Sequence, residues 1–258
     1  MTPCARLCMA LFCASLILGC KVEEPPGTPD AGDPPMGDAG TAVDATPVDA
    51  GPCPGGMLFT GGYEDWDSTP EMFDGIDFAT LTQADDAGNT TMTAPNGRST
   101  MCLPDRQVAV EFTHPQYLDL RYTASPDAVN AGSYDVVGLT PARIDELFTT
   151  EFGLVRDIQT AQALIAVRIY PGGQPAVGAT VALGNGNGGA YVDSGNGVYG
   201  AGDTLANGPF VYFANVDIAG GTTSVQVTPP AGATCSGAPT IELVADSIAA
   251  TTIACVRQ

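Results

Sequence analysis

The chain has 258 residues, with 29 acidic side chains against nine basic ones and a formal net charge of −20. That balance argues against nucleic acid as a partner, because a polyanion needs Lys and Arg to release its counterions. It also disfavours adsorption to anionic lipid surfaces.

The first element is a short apolar run. Arg6 supplies a positive start, residues 7–18 an apolar core, and Ile17-Leu18-Gly19-Cys20 reads as a lipobox. Residues 1–19 are therefore expected to be a lipoprotein signal peptide and Cys20 the lipidated N-terminus of the mature chain. The run falls short of the roughly 20 residues a spanning helix needs, so lipid is the expected membrane anchor. Lys21, not Asp, follows Cys20, and the default address is the outer membrane of a Gram-negative bacterium.

Residues 20–54 change character. Pro25-Pro26, Pro34-Pro35, Asp30-Ala31-Gly32, Asp38-Ala39-Gly40 and Asp49-Ala50-Gly51 alternate with almost no large apolar side chains. Such a segment cannot bury a core and is expected to be a disordered stalk. At about 3.1 Å per residue it would reach up to roughly 90 Å from the membrane. Its composition resembles the linkers of surface lipoproteins of myxobacterial type.

From residue 55 the pattern is strands. Residues 57–63, 75–82, 89–93, 100–103, 107–113 and 117–123 are short, β-branched or aromatic, and separated by Gly, Pro and Asn-Gly turns. Val108, Val110 and Phe112 alternate with Ala109, Glu111 and Thr113, the period of two that a half-buried strand requires. These strands make a first domain over 55–126. A linker over 127–161 carries one helix, 141–152. Thr140 is its cap, Pro141 takes the first position, Ile144, Leu147, Phe148 and Phe152 recur at helical spacing, and Gly153 ends it. Strands resume at 164–170, 180–183, 198–199, 210–213, 224–228, 240–245 and 250–256, making a second domain over 162–258. The expected fold is all-β, with two antiparallel β-sandwich domains of ordinary size.

Cys4, Cys8 and Cys13 leave with the signal, so the mature domains keep Cys53, Cys102, Cys235 and Cys255. Two disulfides are expected in an oxidising compartment, with three connectivities open. Pairing within each domain favours Cys53 with Cys102 and Cys235 with Cys255. The second bridge closes a loop of about 20 residues and is worth roughly 3 kcal/mol. A zinc site would want close Cys or His pairs, and His114 is the sole histidine.

Two acidic clusters are candidate sites. One is Glu64-Asp65-Trp66-Asp67, followed by Asp74 and Asp77. The other is the Gly-rich stretch 184–189 leading to Asp193 and Asp203. Hard oxygen ligands at close spacing suit calcium, which makes Glu64, Asp65 and Asp67 the candidate metal ligands. Neither cluster follows the twelve-residue calcium loop or a nonapeptide repeat. Turn-forming Gly and solvated Asp are the plainer reading, so no cofactor is expected, with calcium as the possible exception. Trp66, the single tryptophan, is the candidate ligand-contacting aromatic, for instance a sugar-stacking platform; packing in the core or rim of the first domain is the competing role. His114 precedes Pro115 with no nucleophile motif in the chain, so it reads as a surface-loop residue.

The second domain carries a resemblance. Val167-Arg168-Ile169-Tyr170, Pro175-Ala176-Val177-Gly178-Ala179-Thr180-Val181-Ala182-Leu183, Asp203-Thr204-Leu205-Ala206-Asn207-Gly208-Pro209-Phe210 and Asn215-Val216-Asp217-Ile218-Ala219-Gly220 resemble the carboxypeptidase regulatory-like domain, a small β-sandwich of the transthyretin (prealbumin) type. The match covers roughly 162–230. The first domain looks like a degenerate copy, through Phe73-Asp74-Gly75-Ile76 and Thr91-Met92-Thr93-Ala94-Pro95-Asn96-Gly97-Arg98. It departs from the family at His114-Pro115-Gln116-Tyr117. The resemblance implies two transthyretin-like sandwiches acting as an accessory or interaction module, with no catalytic residues to carry over. The expected function is a non-enzymatic, lipid-anchored envelope module whose partner is an envelope protein or a surface glycan. A calcium-assisted carbohydrate-binding or adhesion protein is the alternative, and an envelope hydrolase comes third.

Overall fold

The computed structural model describes residues 53–67, 74–131, 134–194, 198–236 and 239–258. The expected signal peptide, Cys20 and the stalk as far as residue 52 lie outside the described residues.

The described chain is all-β, built from two small sheets laid against one long one. In the first small sheet β1 (Gly56–Asp65) pairs antiparallel with β4 (Arg98–Pro104) and parallel with β7 (Tyr134–Gly138). In the second, β10 (Thr180–Leu183), β14 (Thr222–Thr228) and β16 (Thr240–Glu242) run antiparallel. The long sheet opens with β12 (Tyr199–Ala201), β11 (Gly189–Asp193), β13 (Phe210–Val216) and β8 (Ala161–Tyr170). It continues through β17 (Ile248–Arg257), β6 (Leu120–Ala124), β5 (Val108–Thr113), β2 (Thr80–Gln83) and β3 (Asp86–Met92). Two short strands, β9 (Gln174–Pro175) and β15 (Ala233–Cys235), flank β8 and β17.

The strands of the two expected domains thus share a sheet, and β17 joins them. It lies between β6 and β8 and is parallel to both, where the sequence pattern suggests antiparallel neighbours throughout. Its residues 248–255 are all buried, as expected for a central parallel strand covered on both faces. Because successive side chains point to opposite faces, the long sheet feeds two cores. Leu120, Tyr122, Ile248, Ala250, Leu164 and Tyr212 enter a core completed by Phe59 and Tyr63 of β1 and by the helical segment. Ala163, Ile165, Val211, Phe213, Ala249 and Ile253 face the other way, onto Val181, Val225 and Ile241 of the second small sheet.

The segment 127–161 is more than a linker. It contains a short helix α1 (Pro126–Ala131) and β7, an edge strand of the first small sheet that the sequence pattern does not single out. The expected helix is present, with Thr140 Oγ1 accepting from the N–H of Arg143 and Pro141 in the first turn. Its first half, α2 (Pro141–Glu146), is α-helical, and Leu147–Phe152 widens into a π-helical turn. The hydroxyls of Thr149 and Thr150 donate back to the carbonyls of Asp145 and Glu146, a side-chain competition that loosens regular α spacing. Gly153 closes the element with φ of 65°, the left-handed cap that glycine supplies.

The expected strand 75–82 is shorter than its pattern suggests. Regular pairing starts at Thr80 because Asp77 and Phe78 form a turn, with Phe78 at φ 53°. Buried Thr93 clamps that turn: its hydroxyl donates to Ile76 O and accepts from Ala79 N, and its carbonyl accepts from Phe78 N.

Both favoured disulfides are formed, Cys53–Cys102 and Cys235–Cys255. The first ties the lead-in of β1 to β4. The second crosses the β15–β17 pair at directly opposed positions.

Candidate functional site

The first acidic cluster sits where β1 ends. Trp66 N–H donates to Gly138 O at 3.0 Å and Asp65 N–H to Asp74 O at 2.9 Å, so the cluster is pinned between β7 and the segment leading to β2. Asp65 accepts from the Tyr117 hydroxyl at 2.7 Å and, through its other oxygen, from the N–H of Asp67 at 2.9 Å. Asp67 accepts from Arg143 Nε at 3.0 Å. Glu64 pairs with Val137 in the β1–β7 ladder and is itself engaged within the chain.

Trp66 leaves the first half of the chain and enters an aromatic cluster made by the second. Its ring lies 5.3 Å from Tyr199 and 6.4 Å, edge-on, from Tyr212. Phe152 of the π-helical turn stacks on Tyr191 at 4.0 Å and meets Tyr212 at 5.0 Å. The tryptophan is half-buried and packs against the first core. Of its two expected roles, the geometry matches packing at the rim of a core.

Arg143 organises the polar edge of this cluster. Its guanidinium reaches Asp67 and Glu146 at 3.0 Å each and Glu151 at 3.9 Å, and Glu151 also accepts from Tyr199 N–H at 2.8 Å. Partial burial would lower the Arg143 pKa, but the carboxylates of Asp67 and Glu146 outweigh it and raise the pKa. Burial pushes the phenols of Tyr199 and Tyr212 well above the ordinary range, and burial with the Asp65 hydrogen bond does the same to Tyr117. A raised phenol stays protonated and serves here as a hydrogen-bond donor or packing group, not as a base. Nearby, Arg156 bridges Asp145 of α2 and Asp246 ahead of β17.

The second cluster is dispersed. Asn185 Nδ2 donates to Asp217 O and Thr222 O, and Asn187 Oδ1 accepts from Gly189 N–H, so the Gly-rich stretch ties neighbouring turns together. Asp203 accepts from the adjacent Thr204 hydroxyl. Among the described residues no three Asp, Glu, His or Cys side chains converge closely enough to hold a metal ion. His114 sits in a loop, its Nδ1 accepting from Gln116 N–H and its ring edge-on to Tyr117 at 5.2 Å.

Sequence reasoning brings Glu64, Asp65, Trp66 and Asp67 together correctly, as neighbours must be. It misses Tyr117, Arg143, Glu151, Tyr199 and Tyr212, which decide what those residues do. Distance along the chain leaves no spacing signal for any of them.

Among the described residues, no helix is long and apolar enough to cross a membrane. No family model matches the chain, and no curated protein does. Among solved structures the chain is similar to the Bacillus anthracis TIE protein, at 10% identity and a TM-score of 0.28, covering 79% of this chain and 34% of that one. It therefore spans about a third of that protein's length. It is also similar to the shaft pilin SpaA of Lactobacillus rhamnosus GG, at 12% identity and a TM-score of 0.26, covering 79% and 98%. A third similarity is to GBS52, the minor pilin of Streptococcus agalactiae, at 12% identity and a TM-score of 0.29, covering 78% and 96%.

Proposed function

We propose that this chain is a non-enzymatic module of the cell envelope, anchored by lipid on Cys20 and holding a protein partner at the surface. The observation that carries the reading is the engagement of the Glu64–Asp67 cluster: Trp66 packs on Tyr199, Asp65 binds Tyr117 and Asp67 binds Arg143. The most chemically promising side chains stiffen the protein, which suits a display body better than a reaction centre. Two disulfides, Cys53–Cys102 and Cys235–Cys255, support an oxidising location outside the cytosol. The acidic Pro-rich residues 20–54 would serve as its tether, and a transthyretin-like ancestry of the strands over 162–230 remains part of this proposal.

Metabolic labelling with radioactive palmitate tests the anchor. The full-length chain should take up label and Cys20→Ser should not, while external protease should remove the wild-type protein from intact cells. Label retained by Cys20→Ser, or full protection from protease, would overturn the reading.

A further inference from the structure

β3 is the outermost strand of the long sheet: it pairs with β2, and among the described residues no strand pairs with its far side, where the Asn89 side chain donates to the Cys102 carbonyl of β4 at 2.7 Å. Such an edge presents backbone N–H and C=O groups to solvent, and proteins usually blunt it with Lys or Pro. β3 reads Asp-Ala-Gly-Asn-Thr-Thr-Met, with neither, and Asp86, Ala87, Gly88, Thr90 and Met92 are exposed. The ladder with β2 runs regularly over Thr90–Met92; the register then jumps to Gln83 opposite Asp86, so Ala87–Asn89 bulge and the edge open to a further strand is its second half.

Beside the end of β3 stands Phe78. Its backbone adopts φ 53°, a conformation that glycine or asparagine takes easily and a bulky aromatic rarely does. Phe78 is 59% exposed, Met92 is 56% exposed, and the Phe78 N–H donates to the carbonyl of Thr93, the residue next to Met92. Thr93 holds the turn on both sides, so the aromatic is displayed from a rigid support. Strained backbone positions of this kind cluster at binding sites.

Charge selects the occupant. Asp86 lies at one end of the strand, and Asp77 adjoins Phe78 at the other. The nearby cations are already engaged, Arg106 by Asp85, Arg121 by Glu111 and Glu242, and Arg98 within the chain. A second copy of this chain would bring a further net charge of −20 to the same edge and be repelled.

Resting on the interaction-module reading above, we propose that β3 takes up an extended basic strand of a partner protein, adding it to the long sheet with Phe78 and Met92 as apolar contacts. Main-chain pairing supplies the common affinity in such β-augmentation, and flanking side chains supply selectivity.

The test uses the full-length chain in detergent micelles and a fluorescent Lys-Val-Thr-Val-Thr-Val-Lys peptide, with three comparisons. The first is the same peptide with Glu at both ends; the second is its N-methylated backbone analogue; the third is the Phe78→Gly protein, whose glycine accepts the turn's φ and therefore folds. The Lys-ended peptide should bind at least tenfold more tightly than the Glu-ended one, and N-methylation or Phe78→Gly should each weaken it about tenfold. Amide shifts in NMR should concentrate on 90–92. Equal binding of the two peptides, indifference to N-methylation, shifts centred elsewhere or concentration-dependent self-association through β3 would overturn the proposal. Since no step depends on lipid, its failure is separable from failure of the palmitate experiment.

Discussion

Trp66 and Tyr199 hold their rings 5.3 Å apart, with an interplanar angle of 36°, and through this contact the loop after β1 is fastened to the far end of the long sheet. Removing the indole should therefore unfasten more than a loop. For Trp66→Ala the expected loss is about 2–3 kcal/mol, below the fullest cost of truncating a buried aromatic because the ring is half-buried. Denaturant unfolding followed by circular dichroism measures it. A variant of unchanged stability would show that Trp66 is a free surface aromatic, available to a ligand.

Arg156 makes a parallel prediction from charge. Its side chain is 10% exposed while its partners Asp145 and Asp246 are 64% and 49% exposed. Arg156→Met should cost about 1–2 kcal/mol, because the carboxylates left behind remain in water and keep their solvation. The loss should shrink in high salt, and a salt-independent loss would mean that packing of the aliphatic stem dominates.

Strand positions are the most legible part of this chain in its sequence, and the reasons are local. Thr180–Leu183 falls where the pattern places it, and the helix start is set by Thr140 and Pro141. Which strands become neighbours is not local. The run 248–255 is rich in Ala and Thr, and nothing in its composition announces a central strand buried on both faces and parallel to β6 and β8. In the same way Val136 and Val137 make too short an apolar pair to mark β7. At the candidate site the acids and the tryptophan are visible in sequence, but their meaning depends on Tyr117, Arg143 and Tyr199, which only the folded chain brings to them.

The disulfides should contribute unequally. In the loop-entropy model, a separation of 49 residues for Cys53–Cys102 and 20 for Cys235–Cys255 corresponds to about 4 and about 3 kcal/mol. Paired Cys→Ala replacement at each bridge, with unfolding measured in the same denaturant, checks both the order and the size. A larger loss at Cys235–Cys255 would indicate that pinning β15 to β17 matters more than loop length.

High pH should unfold this protein sharply. Burial raises the phenols of Tyr63, Tyr117, Tyr122, Tyr199 and Tyr212 above their ordinary value of 10.0. In the unfolded chain these groups ionise near pH 10 while in the folded chain they keep their protons, so above that pH the unfolded state binds fewer protons. Stability is then fully present below about pH 10 and falls as pH rises further. A melting temperature that stayed flat from pH 9 to 11.5 would contradict the burial of these rings.

The hydroxyl of Tyr63 offers the most discriminating substitution. The side chain is fully buried between β1 and the rest of the first core, and among the described residues its oxygen has no hydrogen-bond partner. A methyl group added at Gly138 would come within 2.8 Å of that oxygen, so there is little slack beside it. A buried hydroxyl without a partner sacrifices its hydration and gains nothing in return, a cost of about 1–3 kcal/mol. Tyr63→Phe removes the oxygen and leaves the ring contacts with Phe112 and Tyr117, at 5.2 and 6.1 Å, in place. The variant should be more stable by about 1 kcal/mol, read as a higher denaturation midpoint with an unchanged slope. Gly138→Ala should act in the opposite sense by crowding the same spot, at a cost of about 1–3 kcal/mol. If Tyr63→Phe instead lowers the midpoint, the hydroxyl is satisfied by an ordered water, and the core at this end of β1 is wet.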